Sequence, residues 1–360
     1  MKTLEFYSGI GGMHAALKSN KIYLASGLPH EVIKAFEIND AANSIYNEVF
    51  NCSYATNRTI ESLSEMECLA YDAELWTMSP PCQPFTRLGN KQHGLDSRSS
   101  SLHNIIDLIK KVKPPAIFLE NVKGFEGSDI WKRLIETLIL CNYDIRQFLL
   151  TPLQFGVPNC RLRYYLVSKL RINGSQSMFK FGEITTDPQS FLENIEDNII
   201  RLPVFDVEPM PGCECVVCTK KVKHINSIEN DYEQYLPFCS HVSSYLLPDN
   251  EIPEDIYLGQ DMLKKYYRVL DIIEPDSHKT ACFTKGYGRR YEGTGSFLSL
   301  SKVNMSDVDE YHFPKLRRFH SKEIAKIMCF PDDFGEMRLS CLPNLKLFRI
   351  SSKFYGKTET

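Results

Sequence analysis

The sequence predicts an α/β protein built on a doubly wound sheet, and three observations support this prediction. Short apolar runs alternate with amphipathic stretches through about the first 170 residues. The apolar runs end in glycine, proline or polar residues, as strands do where they enter a loop. The length of 360 residues, or 41.4 kDa, is enough for one large α/β domain and a smaller one.

The predicted strands and helices follow one another in alternation. Apolar runs predict strands at residues 4–7, 32–36, 74–78, 116–119 and 143–149, with a partner strand at the sheet edge at 163–167. Apolar residues at helical spacing predict helices from about residue 41, through 102–109 and 130–138, and over the short stretch 324–328. Such alternation builds a sheet whose binding site lies at the carboxyl ends of the strands.

The composition is that of an ordinary globular protein, with 43% hydrophobic and 24% charged residues. It excludes a disordered, collagenous or coiled-coil protein. The start of the chain carries Glu5 and three glycines where a signal peptide needs an unbroken apolar stretch, so we expect an intracellular, cytoplasmic protein. The twelve cysteines then indicate buried thiols, a nucleophile or metal ligands. The net charge of −3 neither requires nor excludes a nucleic-acid partner.

A glycine-rich turn follows the first strand and comprises Ser8, Gly9, Ile10, Gly11 and Gly12. Glycines let the backbone approach a ligand closely, and the helix that follows offers free N–H groups. Glu37 ends the second strand, where an acid can bind a ribose hydroxyl. Together they predict a nucleoside-containing cofactor, either a dinucleotide or S-adenosylmethionine.

A cysteine between prolines follows the third strand. Cys82 comes directly after Pro80 and Pro81 and shortly before Pro84. A stiff loop holds a nucleophile at a fixed angle of attack, which lowers a catalytic barrier. A lone cysteine is most often a buried structural thiol, but the prolines on both sides favour the nucleophile.

Two further segments carry charged residues at predicted strand ends. Glu120 closes an apolar strand, where a partly desolvated carboxyl group is suited to proton donation or serves as an ordinary cap. Arg161 and Arg163 are two residues apart, so on a strand they point the same way. Such a pair can clamp a planar or anionic group, or it can simply be solvated.

These four segments, in this order, resemble the cytosine-C5 methyltransferases. FYSGIGGM is similar to the cofactor loop of that family, SPPCQPFTR to its nucleophile loop, ENV to its catalytic acid and FGVPNCRLRYY to its arginine motif. ACFTKGYG, followed by EGTGS, resembles the branch known as the second DNA methyltransferase type. That branch acts on the last cytosine of the anticodon loop of tRNA-Asp. The resemblance covers residues 1–170 and 265–334.

The resemblance implies a Rossmann-like fold, S-adenosylmethionine as cofactor, tRNA as partner and no metal. Cys82 would be the covalent nucleophile, Glu120 the proton donor and Arg163 the residue that holds the target base, with Arg161 supporting the loop. The cofactor site would comprise Ser8, Gly9, Ile10, Gly11, Gly12, Glu37, Ile60, Glu61 and Ser79. The tRNA contacts would include Cys282, Phe283, Thr284, Lys285 and Arg289.

The resemblance also implies a domain order. It predicts a catalytic domain at 1–170, a smaller inserted target-recognition domain at 171–312, a return segment at 313–334 and an atypical tail at 335–360. Members of the family continue after the Phe-Pro-Asp block into a Gly-Asn-Ser turn and a long apolar helix that closes the cofactor pocket. Because the tail has neither, a nucleic-acid-binding protein with impaired catalysis is one alternative. A DNA cytosine methyltransferase is the other.

Two weaker patterns lie in the second half. Ligand types that suit zinc occur at Cys213, Cys215, Cys218, Cys239 and His241. No second cysteine pair completes a ligand set, so we expect reduced thiols in a plain insert. Basic residues beside the ACFTKGYG block, Lys285, Arg289 and Arg290, are suited to phosphate contacts, although most such clusters are solvated surface.

Overall fold

A computed structural model of the chain describes residues 1–19, 29–81, 97–171, 199–200, 232–301 and 313–331. These residues form two compact units. The first contains the described residues up to Leu150 and those from Leu162 to 200, and the second contains Thr151–Arg161 and the described residues from 232 onward. The contacts thus assign 151–161 and 313–331 to the second unit. The functional order 1–170, 171–312, 313–334 and 335–360 stays a prediction.

The first unit alternates strands and helices, as the sequence predicts. Its strands are β1 (Lys2–Phe6), β2 (Glu31–Phe36), β3 (Ala55–Thr56), β4 (Leu75–Met78), β5 (Ala116–Val122), β6 (Tyr143–Leu150), β7 (Arg163–Leu170) and β8 (Ile199–Ile200). Its helices are α1 (Gly12–Lys18), α2 (Asp40–Val49), α3 (Glu65–Ala70), α4 (Ser97–Val112) and α5 (Asp129–Leu140). The predicted helix that ends before Pro114 is confirmed, since α4 ends at Val112.

The strands of the first unit form a single sheet, which within the described residues has the order β3-β2-β1-β4-β5-β7-β6-β8. The chain runs outward from β1 to β3 and then returns to place β4 on the other side of β1. The strand order therefore reverses between β1 and β4, and the crevice beyond the carboxyl ends of strands at such a point is where doubly wound proteins bind ligands.

Strand β7 departs from the prediction. It lies between β5 and β6 and is antiparallel to both, so the predicted edge position of residues 163–167 is wrong. Its side chains alternate between buried and half-buried. That pattern is the same at an edge and inside a mixed sheet, because the neighbours of a strand are set by where the chain returns to the sheet.

Aromatic and aliphatic side chains fill the interior of the first unit. Phe6 of β1 packs against Phe36 of β2 and Trp76 of β4, with ring centroids 5.3 and 5.1 Å apart, and all three side chains are fully buried. Helix α5 buries Trp131 and Leu134 on its inner face. This packing fixes the carboxyl ends of β1, β2 and β4 relative to one another.

The second unit has shorter elements. Its strands are β9 (Asp271–Ile273), β10 (Ser296–Ser299) and β11 (Leu316–Arg318), in the order β11-β10-β9, and its α-helices are α6 (Gln260–Tyr266) and α7 (Ser321–Ile327). Residues 232–256 form successive short 3₁₀ helices, which explains why the sequence there lacks a sustained period. The short helix expected at 324–328 is confirmed as α7. The predicted tail from residue 335 lies outside the described residues.

Within the described part of the chain, no helix is both long enough and apolar enough to cross a membrane.

Candidate active site

The turn after β1 has an unusual backbone. Tyr7, Gly9 and Gly11 have positive φ angles of 58°, 54° and 90°. A side chain at Gly11 would collide with the rings of Tyr46 and Phe50 of the α2 region, whereas a Cβ at Gly9 would meet nothing within 4 Å. A non-glycine residue such as Tyr7 rarely adopts this conformation, and such strain concentrates at functional sites. The turn therefore packs against protein at Gly11 and is open at Gly9.

Glu37, the residue after β2, binds the turn directly. Its Oε2 accepts a hydrogen bond from the Gly9 N–H at 3.1 Å, and its Oε1 accepts one from the Asn39 N–H at 2.9 Å. The next residue, Ile38, is 62% exposed. Ile38 is not among the predicted site residues, although an exposed apolar side chain directly after a strand-end acid is suited to packing against a flat ring.

The turn fits a nucleoside-containing cofactor. The Ser8 hydroxyl is buried and has no hydrogen-bond partner among the described residues. Ile10 is half-buried, and Gly12 begins α1 in an exposed position. A buried hydroxyl, open space over Gly9, a fixed carboxylate and an adjacent apolar side chain are the groups that bind a ribose and a base.

Ser79 joins the end of β4 to the same turn. Its hydroxyl donates a hydrogen bond to the Tyr7 carbonyl at 3.0 Å, and its N–H donates one to the Phe6 carbonyl at 3.4 Å. The two loops at the reversal point are thus bonded to each other. Ser79 therefore lies beside the glycine-rich turn, and its place in a cofactor site stays a prediction.

Helix α4 brings the predicted pair Ile60 and Glu61 toward the turn. Ile60 is 5% exposed, and Glu61 Oε1 accepts a hydrogen bond from the Ser100 hydroxyl at 2.8 Å. The next residue of α4, Ser101, accepts a hydrogen bond from the Tyr7 hydroxyl at 2.9 Å. Burial raises the pKa of Tyr7, so this hydroxyl keeps its proton at neutral pH.

Asn121 of β5 fastens the loop that leads to the predicted nucleophile. Its side chain is 2% exposed, its Nδ2 donates a hydrogen bond to the Pro80 carbonyl at 3.3 Å, and its Oδ1 accepts one from the Val122 N–H at 2.8 Å. Cys82, two residues after Pro80, lies outside the described residues. Asn121 is not among the predicted site residues, although a polar residue on an apolar strand beside a candidate acid is a signal for such a bond.

Glu120 and Arg163 form an ion pair between β5 and β7. The Arg163 Nε lies 3.3 Å from Glu120 Oε1, and the two side chains are 15% and 22% exposed. The register pairs Val122 with Arg163, so Glu120 lies diagonally across from Arg163 on the same face. The guanidinium therefore orients the carboxyl group near the carboxyl end of β5.

Arg161 has a different partner. Strand β7 begins at Arg163, and Arg161 precedes it, with its Nη1 donating a hydrogen bond to the Cys282 thiol at 3.5 Å. The two arginines therefore do not form the clamp on one strand that the sequence analysis predicts, because the chain between them enters the strand. The contact joins two of the predicted functional residues of the second unit.

The ACFTKGYG block has a buried and an exposed part. Phe283 is 2% exposed and its ring packs edge-on against Tyr287 at 5.1 Å, a supporting position in the core rather than an accessible one. Thr284 is half-buried, and Lys285 and Arg289 are exposed. The exposed basic residues are those that phosphate groups can reach.

The candidate zinc ligands show ordinary contacts where they are described. The Cys239 thiol is buried and donates to two backbone carbonyl oxygens, and burial raises its pKa to about 12. His241 Nδ1 lies 2.8 Å from the Asp276 carbonyl oxygen. The described residues contain no group of three or more metal-ligand side chains. Cys213, Cys215 and Cys218 lie outside them.

Comparison with known proteins gives consistent results. A family model described as C-5 cytosine-specific DNA methylase matches residues 1–348. The human tRNA (cytosine(38)-C(5))-methyltransferase is 34% identical over 93% of this chain and 91% of that protein. A DNA (cytosine-5)-methyltransferase of Dictyostelium discoideum is 35% identical over 93% of this chain and 86% of that protein. The crystal structure of the Schizosaccharomyces pombe Dnmt2 methyltransferase superposes with a TM-score of 0.69 at 27% identity, covering 97% of this chain and 92% of that one.

Proposed function

The chain belongs to the C-5 cytosine-specific DNA methylase family, and from this premise we propose that it methylates C5 of a cytosine in tRNA through a covalent adduct with Cys82. One observation carries the proposal. Ser79 bonds the start of the loop to the cofactor turn, and Asn121 bonds Pro80 to the strand that bears Glu120. Cys82 directly follows this stretch in the sequence, and the stretch itself is bonded both to the cofactor turn and to the strand that bears Glu120.

The choice of tRNA rests on the ACFTKGYG block and on the relatives. The human relative is named a tRNA (cytosine(38)-C(5))-methyltransferase, and the block resembles the branch that acts on tRNA-Asp. A cytosine in an anticodon loop is already unpaired, so an enzyme reaches it without opening a duplex. The Dictyostelium relative is named a DNA methyltransferase, and duplex DNA is therefore the second candidate substrate.

The proposed cofactor is S-adenosylmethionine, which supplies an electrophilic methyl group on a sulfonium sulfur. Its amino-acid part would lie over Ser8 and Gly9, where the turn is open and a buried hydroxyl lacks a partner in the described residues. The carboxylate of Glu37 would accept hydrogen bonds from the ribose hydroxyls, and the side chain of Ile38 would pack against the base.

The chain supplies the groups that make C5 of cytosine nucleophilic. The Cys82 thiolate forms a bond to C6, the electrons of the C5–C6 double bond move toward N3, and Glu120 gives its proton to N3. The C5–CH₃ bond then forms as the S–CH₃ bond breaks and its electrons stay on sulfur. A base removes the C5 proton, the double bond returns, and Cys82 leaves as the thiolate. Glu120 finally takes back the N3 proton, and Arg163 holds its carboxyl group in place.

Transfer of a labelled methyl group tests the proposal. Purified protein is incubated with radiolabelled S-adenosylmethionine and, in parallel, with total tRNA, duplex DNA, a tRNA-Asp transcript, and the transcript whose last anticodon-loop cytosine is uridine. We expect label on total tRNA and on the intact transcript only. Cys82→Ala should abolish it, and Cys141→Ala, which removes a buried thiol at the end of α5, should retain it.

Each other outcome contradicts a definite part of the proposal. Label on DNA alone would replace tRNA by DNA as the substrate. Equal label on both transcripts would show that the methylated residue is not the last cytosine of the anticodon loop. Retained transfer by Cys82→Ala would exclude the adduct.

A further inference from the structure

Helix α1, which follows the cofactor turn, begins without a capping side chain. Its N-cap residue is Gly11, which has no side chain to accept hydrogen bonds from the first free N–H groups. Burial raises the pKa of the Glu5 carboxyl group on β1, and the N–H groups of Met13 and His14, the second and third residues of the helix, oppose that rise. The first turn of the helix therefore favours the charged form of a carboxyl group on β1.

Two further side chains hold that carboxylate. The Tyr46 hydroxyl donates to Glu5 Oε2 at 2.8 Å, and because its one proton is used there, it accepts the hydrogen bond from His14 Nδ1, also at 2.8 Å. The His14 ring stacks on Phe50 at 3.8 Å with an interplanar angle of 9°. The hydroxyl of Tyr46 thus links the ring of His14, on helix α1, to the carboxylate of Glu5, on β1.

The same residues support the turn from below. Tyr46 and Phe50 are the side chains that a Cβ at Gly11 would strike. The turn therefore packs against the ring of Tyr46, whose hydroxyl donates to Glu5, and against the ring of Phe50, on which His14 stacks. Glu5, Tyr46 and His14 are 1%, 0% and 5% exposed. The three side chains therefore act on the turn from the protein interior.

Burying a carboxylate is unfavourable, and an apolar residue at position 5 would fill the interior with less desolvation. The stability of the fold therefore does not explain why a glutamate occupies position 5, whereas the need to hold the glycine turn in place does. We propose that Glu5, held by Tyr46 and His14, is a positioning residue that keeps the turn at 8–12 in its cofactor-binding conformation. The inference rests on the proposed function only in taking S-adenosylmethionine as the ligand of that turn.

Three variants test it at pH 8. Glu5→Gln keeps the size of the side chain but removes the negative charge that the helix N–H groups and the Tyr46 hydroxyl favour. Tyr46→Phe keeps the carboxylate and removes only its hydroxyl donor. Tyr143→Phe is the matched control, because its buried hydroxyl bonds the Pro114 carbonyl at the opposite end of the sheet. Each is measured for S-adenosylmethionine binding by calorimetry, for amide hydrogen exchange without cofactor, and for thermal unfolding.

We expect Glu5→Gln to weaken S-adenosylmethionine binding about tenfold and Tyr46→Phe about threefold, the range of one lost charged or neutral hydrogen bond. The amides of Met13 and His14 should exchange faster in both variants, and KM for the cofactor should rise while kcat at saturation changes little. Tyr143→Phe should lower the unfolding temperature without these effects.

Unchanged cofactor binding together with protected amides in both variants would overturn the inference. If Glu5→Gln does not fold, Tyr46→Phe, which retains the carboxylate, decides the question by the same readouts. Failure of the proposed function looks different, because the unaltered protein would then bind no S-adenosylmethionine or transfer no methyl group.

Discussion

Replacing Asn121 by alanine should separate chemistry from cofactor binding. The amide makes two buried hydrogen bonds, one to the Pro80 carbonyl and one from the Val122 N–H. Alanine leaves both backbone groups without this partner in a 2%-exposed position. Each unsatisfied group costs about 1–3 kcal/mol, so we expect Asn121→Ala, which affects two, to lower the free energy of unfolding by about 2–6 kcal/mol.

The loss of methyl-transfer rate in Asn121→Ala should be larger than its loss of folding stability alone would cause. Without Asn121, residues 79–81 keep their bond to the cofactor turn through Ser79 but lose their bond to β5. A nucleophile displaced by about 1 Å loses roughly a hundredfold in rate, which is the fall in kcat that we expect for Asn121→Ala. The dissociation constant of S-adenosylmethionine should stay within about twofold, because the two hydrogen bonds of Asn121 go to Pro80 and Val122, which are not among the proposed cofactor residues.

Single-turnover methyl transfer at saturating cofactor and tRNA measures this effect, beside calorimetry for cofactor binding and thermal unfolding for stability. Gln147→Ala is the matched control. Gln147 is also buried on the sheet and also makes two hydrogen bonds, but it accepts both of them, from the Trp131 and Tyr164 side chains rather than from the loop. If both variants lose the same rate, or if Asn121→Ala stays within threefold of the unaltered protein, the reasoning about the loop is refuted.

Three other substitutions have definite expected outcomes. Glu37→Ala removes the acceptor of the Gly9 N–H and the expected ribose ligand, so calorimetry should show S-adenosylmethionine binding at least about tenfold weaker, and an unchanged dissociation constant would exclude that role. Glu323→Gln breaks a bidentate, fully buried pair with Arg317, at 2.8 Å for both bonds, and chemical unfolding should show about 3–5 kcal/mol lost, whereas a loss below 1 kcal/mol would contradict the burial argument. Burial raises the pKa of Glu5 from 4.5 to about 7, opposed by its hydrogen bonds, so Glu5 stabilises the fold most below pH 4.5 and this stability is lost as the pH rises through 7. The unfolding temperature of the unaltered protein should therefore fall relative to that of Glu5→Gln between pH 5 and pH 8, and a constant difference would contradict the shift.

The parts of the fold that sequence predicts well are those encoded locally. Strand β1 with its glycine turn, Glu37 after β2 and the apolar face of α5 each depend on a few consecutive residues, and each lies where the pattern places it. Strand β7 is different, because its apolar run is equally compatible with an edge and with an interior position. Its place depends on a long connection through the second unit, which no local pattern records.

The candidate site follows the same rule. Glu120 and Ser79 are predictable because each belongs to a short motif at a strand end. Asn121 and Glu5 were not predicted because each bonds a group distant in sequence, the Pro80 carbonyl for Asn121 and the Tyr46 hydroxyl for Glu5. The second unit resisted prediction for a related reason, since strands of three or four residues and single 3₁₀ turns are too short to show a period.

Trapping the covalent adduct tests the central claim most directly. A tRNA-Asp anticodon stem-loop carrying 5-fluorocytidine at the last loop cytosine is incubated with the protein and S-adenosylmethionine, and then resolved under denaturing conditions. Fluorine at C5 cannot leave as a proton does, so methyl transfer should leave the RNA bonded to the protein through Cys82. We predict a denaturation-resistant complex that needs cofactor and is lost in Cys82→Ala. Methylation of the ordinary stem-loop without any such complex, or an equal complex with Cys82→Ala, would contradict the account.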